Sequence, residues 1–139
     1  MNLPTEKLKT LRVRDFMAKS VMSFTPDTLI SDAVRDLVKY KYSGAPVVDP
    51  HGRVVGMLSE KDCLRAAVLA GAQSSEETFV GDYMSGKVES VEPDTDLLDV
   101  AEGFMQAEFK RFPVVADGLL VGQISRFDVL RALAQLLKD

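Results

Sequence analysis

The sequence predicts an α/β (α+β) fold built twice: two tandem βαββα repeats packed with pseudo-twofold symmetry. Internal repetition is the first reason. Val13-Arg14-Asp15-Phe16-Met17 returns as Val80-Gly81-Asp82-Tyr83-Met84, Pro26-Asp27-Thr28 as Pro93-Asp94-Thr95, and Pro46-Val47-Val48 as Pro113-Val114-Val115, each 67 positions on. The second reason is a change of offset at one place only. Ser59-Glu60-Lys61-Asp62 corresponds to Ser125-Arg126-Phe127-Asp128 at an offset of 66, because Asp49-Pro50-His51-Gly52 shortens to Ala116-Asp117-Gly118. A deletion confined to a turn is what a duplicated folding unit tolerates. The third is that helix-spaced and strand-like apolar runs alternate in the same order in both copies.

The organisation read along the chain is an N-terminal segment 1–12, repeat 1 over 13–72, a linker 73–79 and repeat 2 over 80–139. In repeat 1, Val21-Met22-Ser23-Phe24 reads as a short strand that Pro26 ends, with Asp27 or Thr28 available to cap a following helix. Ile30, Ala33, Val34, Leu37 and Val38 then fall on one helical stripe, matched in repeat 2 by Leu97, Val100, Ala101, Phe104 and Met105. Ser43-Gly44-Ala45-Pro46-Val47-Val48 is a buried strand, Pro50-His51-Gly52 the centre of a turn, and Val54-Val55-Gly56-Met57-Leu58 the returning strand of a hairpin. Glu60 opens a second helix through Ala70, with Gly71 suited to a left-handed end. The polar stretch Gln73 to Thr78 links the halves. The first helix of each half is a crossover, expected to be right-handed.

Gly56 and Gly122 lie inside strands, where glycine marks close approach by another backbone or by a ligand; both causes stay open at this point. The last helix, Asp128 to Lys138, carries Val129, Leu130, Leu133, Leu136 and Leu137, more apolar side chains than a small half needs, so part of that face is expected to meet a second chain.

Composition narrows the function. The chain has 139 residues, 46% hydrophobic and 27% charged, enough for one ordinary domain or two small halves sharing a core. A net charge of −4, a pI near 5.0 and no tryptophan speak against a nucleic-acid partner. Cys63 is the single cysteine, which excludes an internal disulfide and a cysteine-based zinc site, and its place at a helix start reads as a packed thiol. His51 is the single histidine and sits in a turn, so no nucleophile, base and orienting acid assemble around it. The N-terminus shows no signal core and no run reaches the ~18 apolar residues of a membrane span, so no membrane insertion and a cytoplasmic location are expected.

Taken together, two copies of Val-x-Asp-x-Met, strand, Pro-Asp-Thr, helix, apolar-Pro-Val-Val, turn and Gly-x-x-Ser-x-x-Asp resemble a CBS-domain pair, also called a Bateman module. The likeness runs from residue 13 to about 137, and rests on order and repetition rather than on any one string. It implies a stand-alone regulatory sensor that binds an adenosine-containing ligand (AMP, ADP, ATP, S-adenosylmethionine or NAD) in the cleft between the repeats. Neither a prosthetic cofactor nor a metal is implied; whether magnesium accompanies the nucleotide is open.

Ser59 with Asp62, and Ser125 with Asp128, fit a capping box. The resemblance adds a second role, the aspartate gripping the ribose hydroxyls, which suits a carboxylate because it accepts two hydrogen bonds from a vicinal diol. The two roles are compatible. By the same resemblance each aspartate faces the segment before Pro-Val-Val of the other repeat, so Asp62 is expected opposite Lys110, Arg111 and Phe112, and Asp128 opposite Ser43, Gly44 and Ala45. Arg111, two residues before Pro113, stands where the family places a basic group on phosphates; Gly44 has that place in repeat 1. Lys61 is a further phosphate candidate, with Phe127 at the matching position and Arg126 beside it. Adenine is expected against the strand starts Ser20-Val21 and Lys87-Val88, with Ala45 and Phe112. The phosphorylated ligand is assigned to the Asp62 and Arg111 cleft.

The leading function is thus nucleotide sensing with a conformational signal to an unidentified protein partner, the module being a homodimer joined through Leu64, Val68, Leu133 and Leu137. The alternative is a ligand-independent dimeric scaffold whose clefts are filled by Phe112, Met57 or Met22. A small hydrolase using an acidic pair is the third, and catalysis is not expected.

Overall fold

The computed structural model describes residues 3–70 and 77–137. The expected helix stop at Gly71, most of the Gln73–Thr78 linker and the helix end at Lys138 fall outside these. In chain order the elements are α1 (Thr5–Leu8), a 3₁₀ turn (Val13–Asp15), α2 (Ile30–Tyr40), β1 (Gly44–Val48), β2 (Val54–Ser59) and α3 (Glu60–Ala70). After the linker come α4 (Val80–Tyr83), α5 (Leu97–Gln106), β3 (Arg111–Ala116), β4 (Leu119–Ser125) and α6 (Arg126–Leu136). By contact they form two compact units. One runs from Met22 to Val88; the other joins the chain up to Val21 with the chain from Glu89 onward.

Each unit is built on an antiparallel hairpin, β1 with β2 and β3 with β4. The register runs Gly44 opposite Ser59 to Val47 opposite Gly56, then skips Val55 to pair Val48 with Val54. The second hairpin repeats it, with Val114 opposite Gly122 and Val115 opposite Leu120, so the same bulge recurs in both copies. The turns explain the lost residue. In the first, Asp49 and Arg53 are still hydrogen-bonded and Pro50-His51-Gly52 closes the loop with Gly52 at φ 83°. In the second, Asp117 and Gly118 both take positive φ, 53° and 83°, the two-residue primed turn whose twist matches the strands.

The expected leading strand of each repeat is shorter than the sequence suggests. It amounts to one parallel bridge, Phe24 beside Val47 and Val91 beside Val114. Phe24 donates to the Pro46 carbonyl and accepts from Val48; the next rung on either side needs an N–H from Pro46 or Pro26, which proline lacks. Pro113 and Pro93 truncate the other strand in the same way.

The helical stripe is also narrower than expected. Ile30, Ala33 and Leu37 are buried, as are Leu97, Val100 and Phe104, but Val34, Val38 and Met105 are exposed, Val38 at 72% and Met105 at 87%. The i, i+3 and i+7 positions are buried in both copies, whereas of the i+4 and i+8 positions only Ala101 packs against its core. Neither Asp27 nor Thr28 caps α2. Thr28 Oγ1 accepts instead from Thr25 N–H, Leu29 occupies the cap position without a side-chain bond, and the Ile30 N–H is taken by the Thr78 carbonyl at 2.8 Å. At the equivalent place in the other copy Asp96 caps α5 by accepting from Asp99 N–H.

The Val-x-Asp-x-Met segments enter the cores of these units crosswise to their place in the repeats. Val13 and Phe16 are buried with Leu97, Val100, Val114 and Ile124, whereas Val80 is buried with Phe24, Ile30, Val47 and Leu58. Leu8 of α1 joins the former cluster, so the N-terminal segment is part of that core. Past each segment the chain adds one antiparallel bridge to the returning strand, Ser85 to Met57 and Ala18 to Gln123, each with two backbone bonds of 2.8–2.9 Å. Gly56 and Gly122 are where those bridges pass. A Cβ on Gly56 would stand 2.7 Å from Met84 Sδ and 2.8 Å from the Ser85 carbonyl; one on Gly122 would meet Met17 Sδ and the Ala18 carbonyl as closely. Of the two causes left open, backbone approach is the one the fold shows.

Candidate functional site

The Ser-x-x-Asp motifs form the starts of α3 and α6. Ser59 Oγ accepts from Asp62 N–H at 3.2 Å while Asp62 Oδ2 accepts from Ser59 N–H at 2.9 Å. Ser125 and Asp128 do the same at 3.1 and 2.8 Å. Both are reciprocal capping boxes that satisfy two otherwise orphaned donors. The other carboxylate oxygen is used as well. Asp62 Oδ1 pairs with Arg65 Nη2 at 2.9 Å, and Asp128 Oδ1 with Arg131 Nη2 at 3.0 Å. A carboxylate has about four acceptor positions, so after these two bonds one lone pair remains on each oxygen. Asp62 is only 8% exposed, and the two bonds hold its carboxylate in that nearly buried position.

Arg65 and Arg131 are the residues that sequence reasoning missed. Each donates from the same Nη2 to a backbone carbonyl of a Val-x-Asp-x-Met segment, Arg65 to Tyr83 at 3.0 Å and Arg131 to Phe16 at 3.1 Å. Arg65 also lies 5.9 Å from the centre of the Tyr83 ring. The signal was present, since Asp-x-x-Arg occurs at the same place in both copies and three residues is one helical turn.

Within each unit the segment before Pro-Val-Val is tied to the same helix start: the Ser43 carbonyl accepts from Glu60 N–H at 3.0 Å, and the Lys110 carbonyl from Arg126 N–H at 3.1 Å. Ser59, Lys61, Asp62, Ser43, Gly44, Ala45 and Val88 belong to the Met22–Val88 unit, with Lys61 exposed and Ala45 buried. Lys110, Arg111, Phe112, Ser125, Arg126, Asp128, Ser20 and Val21 belong to the other. There Lys110, Arg126 and Ser20 are exposed, Arg111 is half-buried, and Phe112 is in the core, stacked on Phe104 with centroids 4.3 Å apart. The two segments before Pro-Val-Val differ for a structural reason too. A Cβ at Gly44 would meet the Leu58 carbonyl at 2.7 Å, whereas Arg111 occupies the matching register opposite Ser125.

A cavity of about 350 Å³ opens beside Phe112, walled by Val91, Val100 and Gly103 and rimmed by Glu89 and Asp99. This is within the usual range for a small-molecule pocket. Cys63 is half-buried against the core; burial first, then the charges of Asp62 and Glu60, push its thiol pKa up. His51 is exposed on its turn, where Asp49 Oδ1 accepts from the N–H groups of His51 and Arg53. Those bonds, Arg53's first, hold the Asp49 carboxyl below its ordinary pKa. Among the described residues no three His, Cys, Asp or Glu side chains gather as a metal would require, and no helix is long and apolar enough to cross a membrane.

Comparison with known proteins gives the geometry a family. The CBS domain matches twice, over residues 13–69 and 80–135. The chloroplastic CBS domain-containing protein CBSX2 of Arabidopsis thaliana is 30% identical over 91% of this chain and 65% of its own length. Protein MJ1225 of Methanocaldococcus jannaschii is 29% identical over 87% of this chain and 42% of its own. The chain thus spans less than two thirds of each. The crystal structure of CBSX2 in complex with AMP is 33% identical, with a TM-score of 0.78 covering 91% of this chain and 98% of that one.

Proposed function

Because the chain belongs to the CBS-domain family and carries two copies of that domain, we propose that it is a regulatory module that binds an adenosine-containing nucleotide and signals to a protein partner by changing conformation. The observation that carries this reading is the pair of aspartates, each held by a capping N–H on one oxygen and an arginine on the other, with a lone pair of each left for the two hydroxyls of a ribose. The binding of AMP by CBSX2 supports the ligand class. Asp62 is assigned to a ribose and Arg111 to phosphate, since guanidinium suits phosphate by forked hydrogen bonding. The acidic rim of Glu89 and Asp99 favours adenine over phosphate in the cavity beside Phe112. Asp128 and Ser125 are proposed to take a second, less charged ligand or to stay empty, and Ser43 and Gly44 precede Pro-Val-Val in one copy as Lys110 and Arg111 do in the other. The module acts in the cytoplasm, without turnover of its own.

Melting curves with AMP, ADP, ATP and S-adenosylmethionine test this. A ligand at a hundred times its Kd adds about 2.7 kcal/mol and raises the melting temperature logarithmically with concentration. Repeating the titration with Asp62→Ala and Asp128→Ala assigns the site, and curves unmoved by millimolar nucleotide reject the reading. A scaffold role then stands alone. The homodimer is favoured by Leu64, Val68 and Leu137, all exposed and apolar, on a twofold isologous contact; Leu133, packed on the core of its own unit, is a weaker candidate. Sedimentation of wild type against Leu64→Glu/Val68→Glu checks it.

A further inference from the structure

Resting on the proposed ribose contact, we infer that Arg65 and Arg131 are positioning residues that set the ligand's discrimination between ribose and deoxyribose. The aspartate side chain at a helix start has two rotatable bonds, and the capping N–H restrains only one of its oxygens. Rotation about the axis through that oxygen would carry the other away from a diol. Arg65 stops it by holding Asp62 Oδ1 at 2.9 Å, and Arg131 holds Asp128 Oδ1 at 3.0 Å. A planar guanidinium does this at less entropic loss per bond than an ammonium on a free stem.

The arginine is itself anchored. In the Met22–Val88 unit, Arg65 Nη2 also donates to Tyr83 O, two residues before Ser85, whose N–H and carbonyl are both bonded to Met57. The backbone then runs three residues on to Val88, one of the residues proposed to contact adenine. One guanidinium therefore registers the ribose carboxylate against the adenine wall. Arg131, Phe16, Ala18 and Val21 reproduce the series in the other unit, with Ala18 bonded to Gln123 as Ser85 is to Met57. Two copies with different neighbouring residues keep the same four-part link, which an accidental surface ion pair would not.

Calorimetric titration of the full chain with AMP and with 2′-deoxy-AMP tests the inference on wild type, Arg65→Met, Arg65→Lys and Arg131→Met. A bidentate, charge-assisted grip on the diol makes wild type prefer AMP by about ten-fold or more. At the occupied site the Met variant loses that preference while its affinity for 2′-deoxy-AMP stays within about two-fold, because the deoxy ligand never used the second bond. Arg65→Lys keeps part of the preference, and carries the test should Arg65→Met melt below the assay temperature. An unchanged preference in both Met variants, or equal weakening of both nucleotides, overturns the positioning role and leaves nucleotide binding intact. Wild type that binds neither nucleotide overturns the underlying reading instead, and the inference with it.

Discussion

Replacing Gly56 by alanine isolates the contact that attaches the Val-x-Asp-x-Met segment to the hairpin. The new Cβ would lie 2.8 Å from the Ser85 carbonyl and 2.7 Å from Met84 Sδ, against about 3.5 Å or more for an unstrained carbon contact. The thioether can swing away; the carbonyl cannot, because it accepts from Met57 N–H at 2.9 Å and Ser85 N–H returns the bond at 2.9 Å. Moving the backbone by roughly 0.7 Å stretches both bonds past useful length. Two backbone bonds at about 1 kcal/mol each, plus about 1 kcal/mol of overpacking, less about 0.5–1 kcal/mol from the stiffer unfolded chain, leave a net loss near 2 kcal/mol. Gly103→Ala is the control of opposite sign. Its Cβ meets only the Phe112 ring at 3.5 and 3.6 Å, an ordinary contact, and it sits inside α5, where alanine is favoured by about 1 kcal/mol. Urea unfolding followed by circular dichroism reads both as shifts in midpoint at constant slope. If Gly56→Ala is as stable as wild type, or if adding Met84→Ala restores it fully, the clash is not with the carbonyl and the reasoning fails.

Ser125→Ala and Ser59→Ala each remove a side-chain cap from an eleven-residue helix and should lower stability by about 1 kcal/mol, read by calorimetry in the absence of ligand. Cys63 should react with a disulfide reagent at pH 8 more slowly than a free thiol, since its pKa is raised by burial and by Asp62 and Glu60. With the folded value above the unfolded one, the associated stability is complete below the unfolded thiol pKa and is lost as pH rises through the folded value, so a loss on the acid side would contradict it. The fragment 22–88 should unfold more cooperatively than 13–72, because only the former holds Val80, Tyr83 and Ser85 against their core; equal melting curves would refute the exchange of segments.

Much of this was readable because duplication tests each assignment twice. The bounds of α3, Glu60–Ala70, and both capping boxes were expected from a serine, an aspartate and an apolar run that recur together. The reduction of the first strands to single bridges was not, since strand propensity in Val21 to Phe24 does not reveal that each neighbouring rung falls on a proline; that needs the register. Val34 and Val38 satisfy helical spacing and are nonetheless exposed, because periodicity gives a stripe's direction and the width is set by the hairpin beneath it. Repetition identifies Val13 and Val80 as equivalents, yet between two equivalent cores it cannot say which one either enters. Asp-x-x-Arg is visible in the sequence, but on an isolated helix it is an ordinary surface pair; its meaning comes from the Tyr83 and Phe16 carbonyls, distant in sequence.

That exchange of segments bears on how a bound nucleotide would be felt elsewhere. The chain passes between the compact units twice, at Val21–Met22 and at Val88–Glu89. Each passage follows directly on a segment held by an arginine that also holds a proposed ribose carboxylate. Beyond the second passage, Val91 is hydrogen-bonded beside β3, whose first residue is Arg111. A ligand at the proposed Asp62 site would therefore act on backbone that reaches, eight residues after Tyr83, the bridge that Val91 makes to Val114 of β3. The route is a short covalent path braced by hydrogen bonds at Tyr83, Ser85 and Val91, and no long-range wire of side chains has to be invoked. What it can transmit is bounded by the ligand's difference in affinity between the two arrangements, about 1–3 kcal/mol, which is of the same order as the single bonds along the path. A switch of that size needs only one such bond to form in one state and be absent in the other.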